Sequence, residues 1–510
     1  MFVTLRAHAL SHPLLVALLF AAVLALLDPL LRHLPVRRIA SGRGATPLTT
    51  LPGLIYLAAV IFYAAVPAYF DHVEPSVASV SWLVVQGQQA YPDQAGAGLY
   101  GLPYGPMLFL VNGLTMLLAG PGIITSKLAG AAAATASVII VAMAVRRARG
   151  DWLRAIRWSA IAYLAFGVTS FWVRAEPLLL LCSSLAVLSL TVPAWPSAAL
   201  VGAALGVGLN LKASAIIYLF PALALVWKTH GTIRFAAATG IAVLVACLPY
   251  ALFDNISLAG YLSWLQSAAS QGVRLPALTR ALEWAIFLSL PMLVMRRPDS
   301  GPHLASDVAL FRTLLLACML ASLPLSAKYG TGPYHFLPFV PAIIFASAGG
   351  RSGPPAAVPA MLASFALVGA LQLPTWVTAI TSLPSRAIAS ELRQIEASHA
   401  GTVAMGYSAN YRLSFFRPAL VFAGQPYWLD GASLMDWHWS RRPLPAAALA
   451  ALDACVVEAW VVPAGAPPFV LPNAYPIPGD VFPDEFRKIF EDRYTREMSG
   501  QWFDVYRCRR

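Results

Sequence analysis

Long apolar segments separated by short polar turns constrain this chain more than any other feature of its sequence. About 12 such segments lie between residues 13 and 377, and most approach the roughly 20 residues that a straight helix needs to cross a bilayer. The composition is 58% hydrophobic and 11% charged, and the mean hydropathy is +0.67. These values exclude an ordinary soluble enzyme. They predict a polytopic α-helical membrane protein with about 12 transmembrane helices.

The excess of basic residues lies in the apolar part of the chain. Lys and Arg number 35 and Asp and Glu number 23, which gives a net charge of +12. Residues 1–379 hold 22 of the basic and 10 of the acidic side chains, whereas residues 380–510 hold 13 of each. Basic residues concentrate in the cytoplasmic loops of membrane proteins. We therefore interpret the excess as a topology signal and expect no nucleic-acid partner.

Basic residues also predict which turns face the cytoplasm. They gather at five short turns, at 32–43, 146–157, 228–234, 296–297 and 351. The stretch 70–126 contains no Lys or Arg, as expected for an outward loop. This alternation predicts a first outer loop at about 70–122. Residues 106–119 are apolar but too short to cross, so we expect a helix in the membrane interface.

The last part of the chain differs in character from the rest. We predict a multi-span transmembrane domain over 1–379 and a small extracytoplasmic α/β domain over 380–510. In this tail, SRAIASELRQIEAS and DEFRKIFEDRY have the pattern of helices, and GTVAMGYS, ACVVEAWVV and WFDVYRCR are typical of strands. Cys455 and Cys508 could form one disulfide if the tail is extracytoplasmic.

Ionisable and polar side chains gather where the predicted outward loops meet the membrane. Charges at this depth are costly, so they are candidates for a functional site. The candidates are Asp71, His72, Glu74, Arg174, Glu176, Lys212, Lys328, Tyr334 and His335. Lys and Arg would neutralise a phosphate, and a carboxylate would act as a general base toward a hydroxyl. A structural alternative exists, since acidic residues followed by Pro favour helix starts, as at Glu74-Pro75 and Glu176-Pro177.

The order of these motifs resembles a known superfamily over residues 52–350. FDHVEPSVASVSWLVVQGQQAYPD and YGLPYGPMLFLVNGLTMLLAGPGIITSKLAG resemble the first outer loop of GT-C-type integral membrane glycosyltransferases, which include protein O-mannosyltransferases and lipid A aminoarabinose transferases. In that loop an acidic motif precedes a helix, a Gly-x-x-x-Tyr turn and an interfacial helix. Here the turn runs from Gly87 to Tyr91, and the interfacial helix begins near Tyr104 and Pro106. RAEPLLLLCSSLAVL, GVGLNLKASAIIYLFPAL and KYGTGPYHFLPFVPAI are similar to later motifs of the family.

The resemblance implies a reaction and roles for residues. A sugar would move from a polyprenyl-phosphate donor to an outward-facing acceptor, with inversion at the anomeric carbon. Asp71 is the implied base and Glu74 the close alternative, because Val73 interrupts the Asp-Glu pair that many members carry. The other candidates would bind substrate or phosphate: His72, Tyr104, Arg174, Glu176, Lys212, Lys328, Tyr334 and His335.

The sequence leaves the acceptor, a bound metal and two alternative functions open. The acceptor would be a lipid-linked glycan, a cell-envelope polysaccharide or a protein, and the enzyme would lie in the inner or plasma membrane. We predict no bound metal, although the oxygen and nitrogen donors of Asp71, His72, Glu74 and Glu176 leave a divalent ion open. Two alternatives are an O-antigen-type ligase or polymerase and a lipid-linked glycan transporter or flippase. The former usually carries a large late outer loop, and the latter shows interrupted helices and related halves.

Overall fold

The computed structural model describes residues 12–19, 22–23, 46–295, 302–348, 357–475 and 477–509. Two compact units divide the chain, and each is assembled from three stretches. The first unit consists of Met1–Tyr63, Gly130–Cys247 and Val273–Thr378, and the second of Ala64–Ala129, Leu248–Gly272 and Ala379–Arg510. The predicted division into a membrane domain and a soluble domain near residue 379 stays a prediction.

After a helical stretch at 13–19, the described chain up to residue 381 consists of helices joined by loops. Its α-helices, in chain order, are α1 (Thr46–Ala65), α2 (Val73–Val85), α3 (Pro106–Ala119), α4 (Ile123–Ser126), α5 (Leu128–Arg147), α6 (Trp152–Phe166), α7 (Ala175–Ser189), α8 (Ala194–Leu209), α9 (Ala215–His230), α10 (Thr232–Leu252), α11 (Leu258–Ala269), α12 (Leu275–Val294), α13 (Pro302–Ala321), α14 (Leu323–Ser326), α15 (Val340–Ala348) and α16 (Ala357–Thr381). Short 3₁₀ helices cover Gly167–Ser170 and Pro333–Phe339. The helix predicted at 106–119 is confirmed as α3, and its place in the membrane interface stays a prediction.

Four helical segments of the described residues are long and apolar enough to cross a membrane. They are Ile123–Arg147, Thr232–Leu252, Leu275–Val294 and Ala360–Ser398. Other predicted segments correspond to apolar helices of 10–17 residues, among them α7, α8 and α9. The predicted total of about 12 spans therefore stays a prediction. Most of the first predicted segment and the basic clusters at 32–43, 296–297 and 351 lie outside the described residues.

In the first unit, helices α8 and α10 pack closely, and α8 ends next to the candidate residue Lys212. A Cβ on Gly202 would lie 2.4 Å from the carbonyl oxygen of Ala238, and one on Gly206 would lie 2.6 Å from that of Ala242. Two small residues four positions apart on α8 thus let its backbone approach α10. The C-terminal end of α8 continues directly into the turn that carries Lys212.

The tail in the second unit contains a small mixed sheet flanked by helices. In chain order its elements are α17 (Ser385–Ser398), β1 (Val403–Met405), a 3₁₀ helix (Tyr411–Phe416), α18 (Pro418–Phe422), α19 (Gly431–Trp439), α20 (Ala446–Asp453), β2 (Ala459–Pro463), α21 (Asp484–Arg493), β3 (Tyr494–Ser499) and β4 (Phe503–Cys508). The strand order is β1-β2-β4-β3. β1 pairs parallel with β2, and the other two pairs are antiparallel. The predicted helices α17 and α21 and strands β1, β2 and β4 are confirmed.

The core of this sheet explains why α17 is helical. Ile388, Leu392 and Ile395 recur at helical spacing and are all buried in one apolar cluster with Val461 of β2 and Val505 of β4. Arg386, Arg393 and Gln394 are exposed on the opposite face of α17. Cys455 and Cys508 form a disulfide across 53 residues of sequence, which ties the turn before β2 to the end of β4.

Candidate functional site

The acidic motif of the first loop lies in the second unit, at the start of α2. Glu74 is fully buried, and its Oε2 accepts the backbone N–H groups of Phe70, at 2.7 Å, and Asp71, at 2.8 Å. A charged acceptor for two backbone donors fixes the turn before the helix. Glu74 is therefore committed to holding the backbone that carries Asp71.

Asp71 is placed differently from Glu74. Its Oδ1 accepts the backbone N–H of Val73 at 2.9 Å, and its Oδ2 lies 3.4 Å from Nδ1 of His72. The Asp71 side chain is 20% exposed. The carboxylate is thus oriented by a local turn and is partly exposed. A general base has to be positioned in this way.

The His72 imidazole is adjacent to this carboxylate. Its Nε2 is buried and has no hydrogen-bond partner among the described residues. The ring centroid lies 6.3 Å from that of Tyr411 and 6.5 Å from that of Tyr475. A buried unsatisfied ring nitrogen costs free energy in the absence of a ligand. The ring thus places Nδ1 beside the Asp71 carboxylate, and Nε2 is enclosed by the surrounding residues.

Lys127 also belongs to this part of the second unit, although the sequence did not indicate it. Its Nζ donates to the carbonyl oxygens of Val66, at 2.8 Å, and Ala68, at 2.5 Å, and the side chain is fully buried. The ammonium group interacts electrostatically with Glu74. Lys127 thus holds the chain that leads into the acidic motif. Its position at the end of a loop otherwise free of basic residues was the signal that could have identified it.

Tyr104 is nearly fully buried within the same unit. Its carbonyl oxygen accepts the hydroxyl of Tyr91 at 2.7 Å, and Gly87 has a φ of +82°. A positive φ is inexpensive only for glycine. Gly87 therefore turns the chain at the end of α2, and Tyr91 contacts the segment before α3.

Residues of the tail contact the acidic motif directly. Arg417 and Asp430 form an ion pair at 2.9 Å with both side chains 1% exposed, and Arg417 also donates to the carbonyl oxygen of His72 at 3.0 Å. Burial alone would raise the pKa of Asp430, but the Arg417 guanidinium and hydroxyl donors hold the pKa of this carboxyl below its usual range. The contact between Arg417 and the acidic motif was not predicted, because 345 residues separate Arg417 from His72.

A second charged group lies in the first unit, at the start of α7. Oε1 of Glu176 accepts Nζ of Lys212 at 2.5 Å, and its Oε2 accepts the indole N–H of Trp172 at 2.9 Å. Nε of Arg174 lies 4.0 Å from the same carboxylate. Two cations thus converge on one buried carboxylate. The structure brings Lys212 to Glu176, which lies 36 residues earlier in the sequence.

Aromatic rings surround these cations. The Arg174 guanidinium lies 4.3 Å from the ring centroid of Trp172 and 4.9 Å from that of Tyr334, and it donates to the Tyr334 hydroxyl at 3.2 Å. Lys212 Nζ lies 5.6 Å from the Tyr334 ring. A cation over an aromatic face is attracted by the ring, and this attraction is larger where water is excluded. This group is therefore suited to binding an anion.

His335 and Lys328 complete the set of predicted residues in the first unit. His335 is buried beside Tyr334, with ring centroids 5.0 Å apart, and its Nδ1 has no hydrogen-bond partner in the described chain. Lys328 is half-buried and acts electrostatically on His335. Burial lowers the pKa of Lys328. The functional roles predicted for all these residues stay predictions.

The carboxylates do not fit the metal site that the sequence left open. Glu74 is committed to two backbone N–H groups and Glu176 to Lys212 and Trp172. Across the residues that the structure describes, no group of three or more His, Cys, Asp or Glu side chains is arranged to hold a metal ion. We derive no catalytic step through a metal, and metal independence stays a prediction.

The fold of this chain is similar to that of solved membrane transferases. The chain is mostly helical, and its fold is similar to that of ArnT, a GT-C-type glycosyltransferase of the class that its motifs predicted. ArnT from Cupriavidus metallidurans, solved bound to undecaprenyl phosphate, gives a TM-score of 0.50 at 13% identity, covering 91% of this chain and 98% of that chain. Its apo state gives the same values.

A second solved structure is similar at a lower level. The archaeal oligosaccharyltransferase AglB from Archaeoglobus fulgidus, in complex with an inhibitory peptide and a dolichol-phosphate, gives a TM-score of 0.46 at 10% identity, covering 83% of this chain and 70% of that chain. No family model and no curated protein sequence matches the chain. The similarity to ArnT is therefore one of fold.

Proposed function

We propose that this protein is a GT-C-type membrane glycosyltransferase that moves a sugar from a polyprenyl-phosphate donor to an outward-facing acceptor. The proposal rests on the acidic motif of the first loop, where Glu74 fixes the backbone and the partly exposed Asp71 carboxylate is oriented by a local turn. The fold of ArnT, which was solved with undecaprenyl phosphate, supports the donor class.

In this proposal Asp71 is the general base. It takes the proton of an acceptor hydroxyl while the acceptor oxygen forms a bond to the anomeric carbon. The bond from that carbon to the phosphate oxygen breaks on the opposite face, which inverts the configuration and releases polyprenyl phosphate. A positioned base contributes roughly 10²–10⁴-fold to such a step. The acceptor class stays open among lipid-linked glycans, envelope polysaccharides and proteins.

The cationic group of the first unit provides the charge for phosphate binding. Arg174 and Lys212 are the candidates to neutralise the donor phosphate as negative charge develops on it. Glu176 holds both cations in place, so we assign it a positioning role. Lys328 and His335 would add a charge and a hydrogen bond at the same group.

We further propose a multi-pass location in the inner or plasma membrane with the tail outside the cytoplasm. The disulfide between Cys455 and Cys508 supports this orientation, because disulfides persist in oxidising compartments. A lipid-linked donor also suits a site outside the cytoplasm.

A donor-release assay tests the proposed function. Purified protein is incubated with a panel of polyprenyl-phosphate sugars and crude envelope acceptors, and free polyprenyl phosphate is measured by mass spectrometry. We expect release from one donor, lost in Asp71→Asn and retained in Asp93→Asn. Asp93 is a matched control because it lies in the same loop and accepts a backbone N–H two residues ahead, as Asp71 does. Absence of release from every donor would favour the transporter or ligase alternatives.

A further inference from the structure

A buried polar network in the second unit connects the tail to the acidic motif. Arg417 Nη2 contacts the Asp430 carboxylate at 2.9 Å, the carbonyl oxygen of His72 at 3.0 Å and Oγ of Ser76 at 2.5 Å. Its Nε donates to the hydroxyl of Tyr427 at 3.1 Å. One guanidinium therefore holds the backbone of His72 and the first turn of α2 at the same time.

Asp430 anchors the other side of this network. Its carboxylate accepts hydroxyl groups of Ser76 at 2.7 Å and Tyr427 at 2.5 Å, and it caps α19 through the N–H of Ser433 at 2.9 Å. Its own N–H donates to the carbonyl oxygen of Leu99 at 2.9 Å. The tail thus contacts the first loop at both the acidic motif and the segment before α3.

Loop 99–101 is held in the same way. Ser433 Oγ donates to the carbonyl oxygen of Gly101 at 2.6 Å and lies 3.1 Å from its N–H. A Cβ on Gly101 would lie 2.4 Å from the ring of Trp264, so the backbone is confined from the other side as well. The tail therefore binds backbone groups of the first loop by hydrogen bonds. Arg417 contacts His72, Asp430 contacts Leu99, and Ser433 contacts Gly101.

A buried ion pair is a costly way to gain stability, since apolar residues of similar volume often stabilise as much or more. Such pairs are better suited to fixing one arrangement of the chain. Here the ion pair fixes the carbonyl of His72 and the hydroxyl of Ser76. His72 follows Asp71 directly, and Ser76 lies two positions after Glu74. A misplacement of about 1 Å at a reacting group can lower the rate roughly 100-fold.

We propose that Arg417 and Asp430 are positioning residues for glycosyl transfer, through which the tail holds Asp71 in its productive orientation. This inference rests on the proposed function and deepens it, because it makes the tail a required part of the catalytic machinery. It excludes a tail that serves only to bind an acceptor or cover the membrane surface.

The test uses three full-length variants. Arg417→Met/Asp430→Leu removes both charges together, so no unpaired buried charge remains. Arg417→Lys keeps the charge but loses the fork that reaches several acceptors at once. Arg487→Met is the matched control, since Arg487 pairs with Asp480 at 2.5 Å elsewhere in the tail. We expect kcat to fall about 100-fold in the double variant and about 10-fold in Arg417→Lys, with KM within about threefold.

A readout independent of activity separates this inference from the proposed function. Hydrogen exchange of the Phe70 and Asp71 amides, which donate to Glu74, should quicken in the double variant and remain unchanged in Arg487→Met. A wild-type protein that releases no polyprenyl phosphate contradicts the proposed function, and the exchange rates still test the positioning.

Two results would overturn the positioning role. One is an active wild type whose folded double variant keeps its kcat. The other is unchanged exchange at Phe70 and Asp71 in that variant. If the double variant does not fold, Arg417→Lys carries the test, and a folded Arg417→Lys with wild-type kcat and exchange contradicts the proposal.

Discussion

Asp71 and Glu74 lie three positions apart, and their carboxylates have different surroundings. We expect Asp71→Asn to lower kcat roughly 10²–10⁴-fold without loss of folding, because the amide cannot accept the acceptor's proton. Glu74→Gln should instead lower the free energy of unfolding by about 1–3 kcal/mol, since two backbone donors lose a charged acceptor. Turnover and thermal unfolding of both variants separate the two roles. Equal stability loss in both variants contradicts the assignment.

The ion pair between Arg417 and Asp430 predicts a pH dependence of stability. The pKa of Asp430 is lower in the fold than in the unfolded chain, where it is about 3.9. Its stabilisation is therefore fully present above about pH 4 and is lost as the pH falls through the folded pKa.

Asp430→Asn checks this sign. At pH 7 the variant should lose about 3–5 kcal/mol, because Arg417 remains buried without its counter-charge. The midpoint of thermal unfolding of the variant should also fall less steeply below pH 4 than that of the wild type. If the thermal midpoints of both proteins fall equally below pH 4, Asp430 does not cause the acid dependence of stability.

Some residues of the site could be predicted from the sequence and others could not. Asp71 and Glu74 are carboxylates next to an apolar segment, which is a local signal. Arg417 and Asp430 lie in a polar tail where charged residues are common, and only the fold brings them to the acidic motif. One of the partners of Arg417 is the backbone carbonyl of His72, and a backbone group leaves no mark on the sequence.

At the scale of elements, the disulfide makes a prediction for the sheet. Cys455 and Cys508 close a loop of 53 residues, for which chain entropy gives about 4 kcal/mol of stabilisation. Cys455→Ser/Cys508→Ser should lower the thermal midpoint of the tail and remove the mobility difference between reduced and oxidised protein on gels. Identical midpoints with and without reductant would show that the bond contributes no stability.

Helices and strands of the tail with a regular buried apolar face were predictable from the sequence, and those without one were not. α17 was identified because Ile388, Leu392 and Ile395 form a stripe at helical spacing. β3 was missed because all its residues after Tyr494 are exposed, so it has no buried face to reveal it. α19 was missed because its start depends on the side chain of Asp430 capping Ser433.

At the scale of the whole molecule, the metal expectation can be tested directly. The carboxylates Glu74 and Glu176 are both engaged by protein donors. We therefore expect transfer activity to stay within about twofold after treatment with EDTA and removal of free ions, since transition-state charge is assigned to Arg174 and Lys212. Loss of activity that Mg²⁺ or Mn²⁺ restores would show that a divalent ion takes part.

The helical character of the chain was predictable from its sequence, whereas the number of spans and their orientation stay predictions. Hydropathy identifies apolar runs, and α7, α8 and α9 have 15, 16 and 16 residues, which is short of a straight span. Charged motifs at their ends shorten the apolar runs in this part of the chain. A reporter fused after residue 380 should be extracytoplasmic, and a cytoplasmic signal would overturn the predicted orientation.

The most direct test follows the sugar and the lipid in one reaction. A polyprenyl-phosphate donor with an isotope-labelled sugar is incubated with wild type, Asp71→Asn and Asp93→Asn in nanodiscs with envelope acceptors. We expect equal amounts of free polyprenyl phosphate and labelled acceptor for wild type and Asp93→Asn, and neither product for Asp71→Asn. Intact labelled donor in all three samples, or equal turnover by Asp71→Asn, would contradict this expectation.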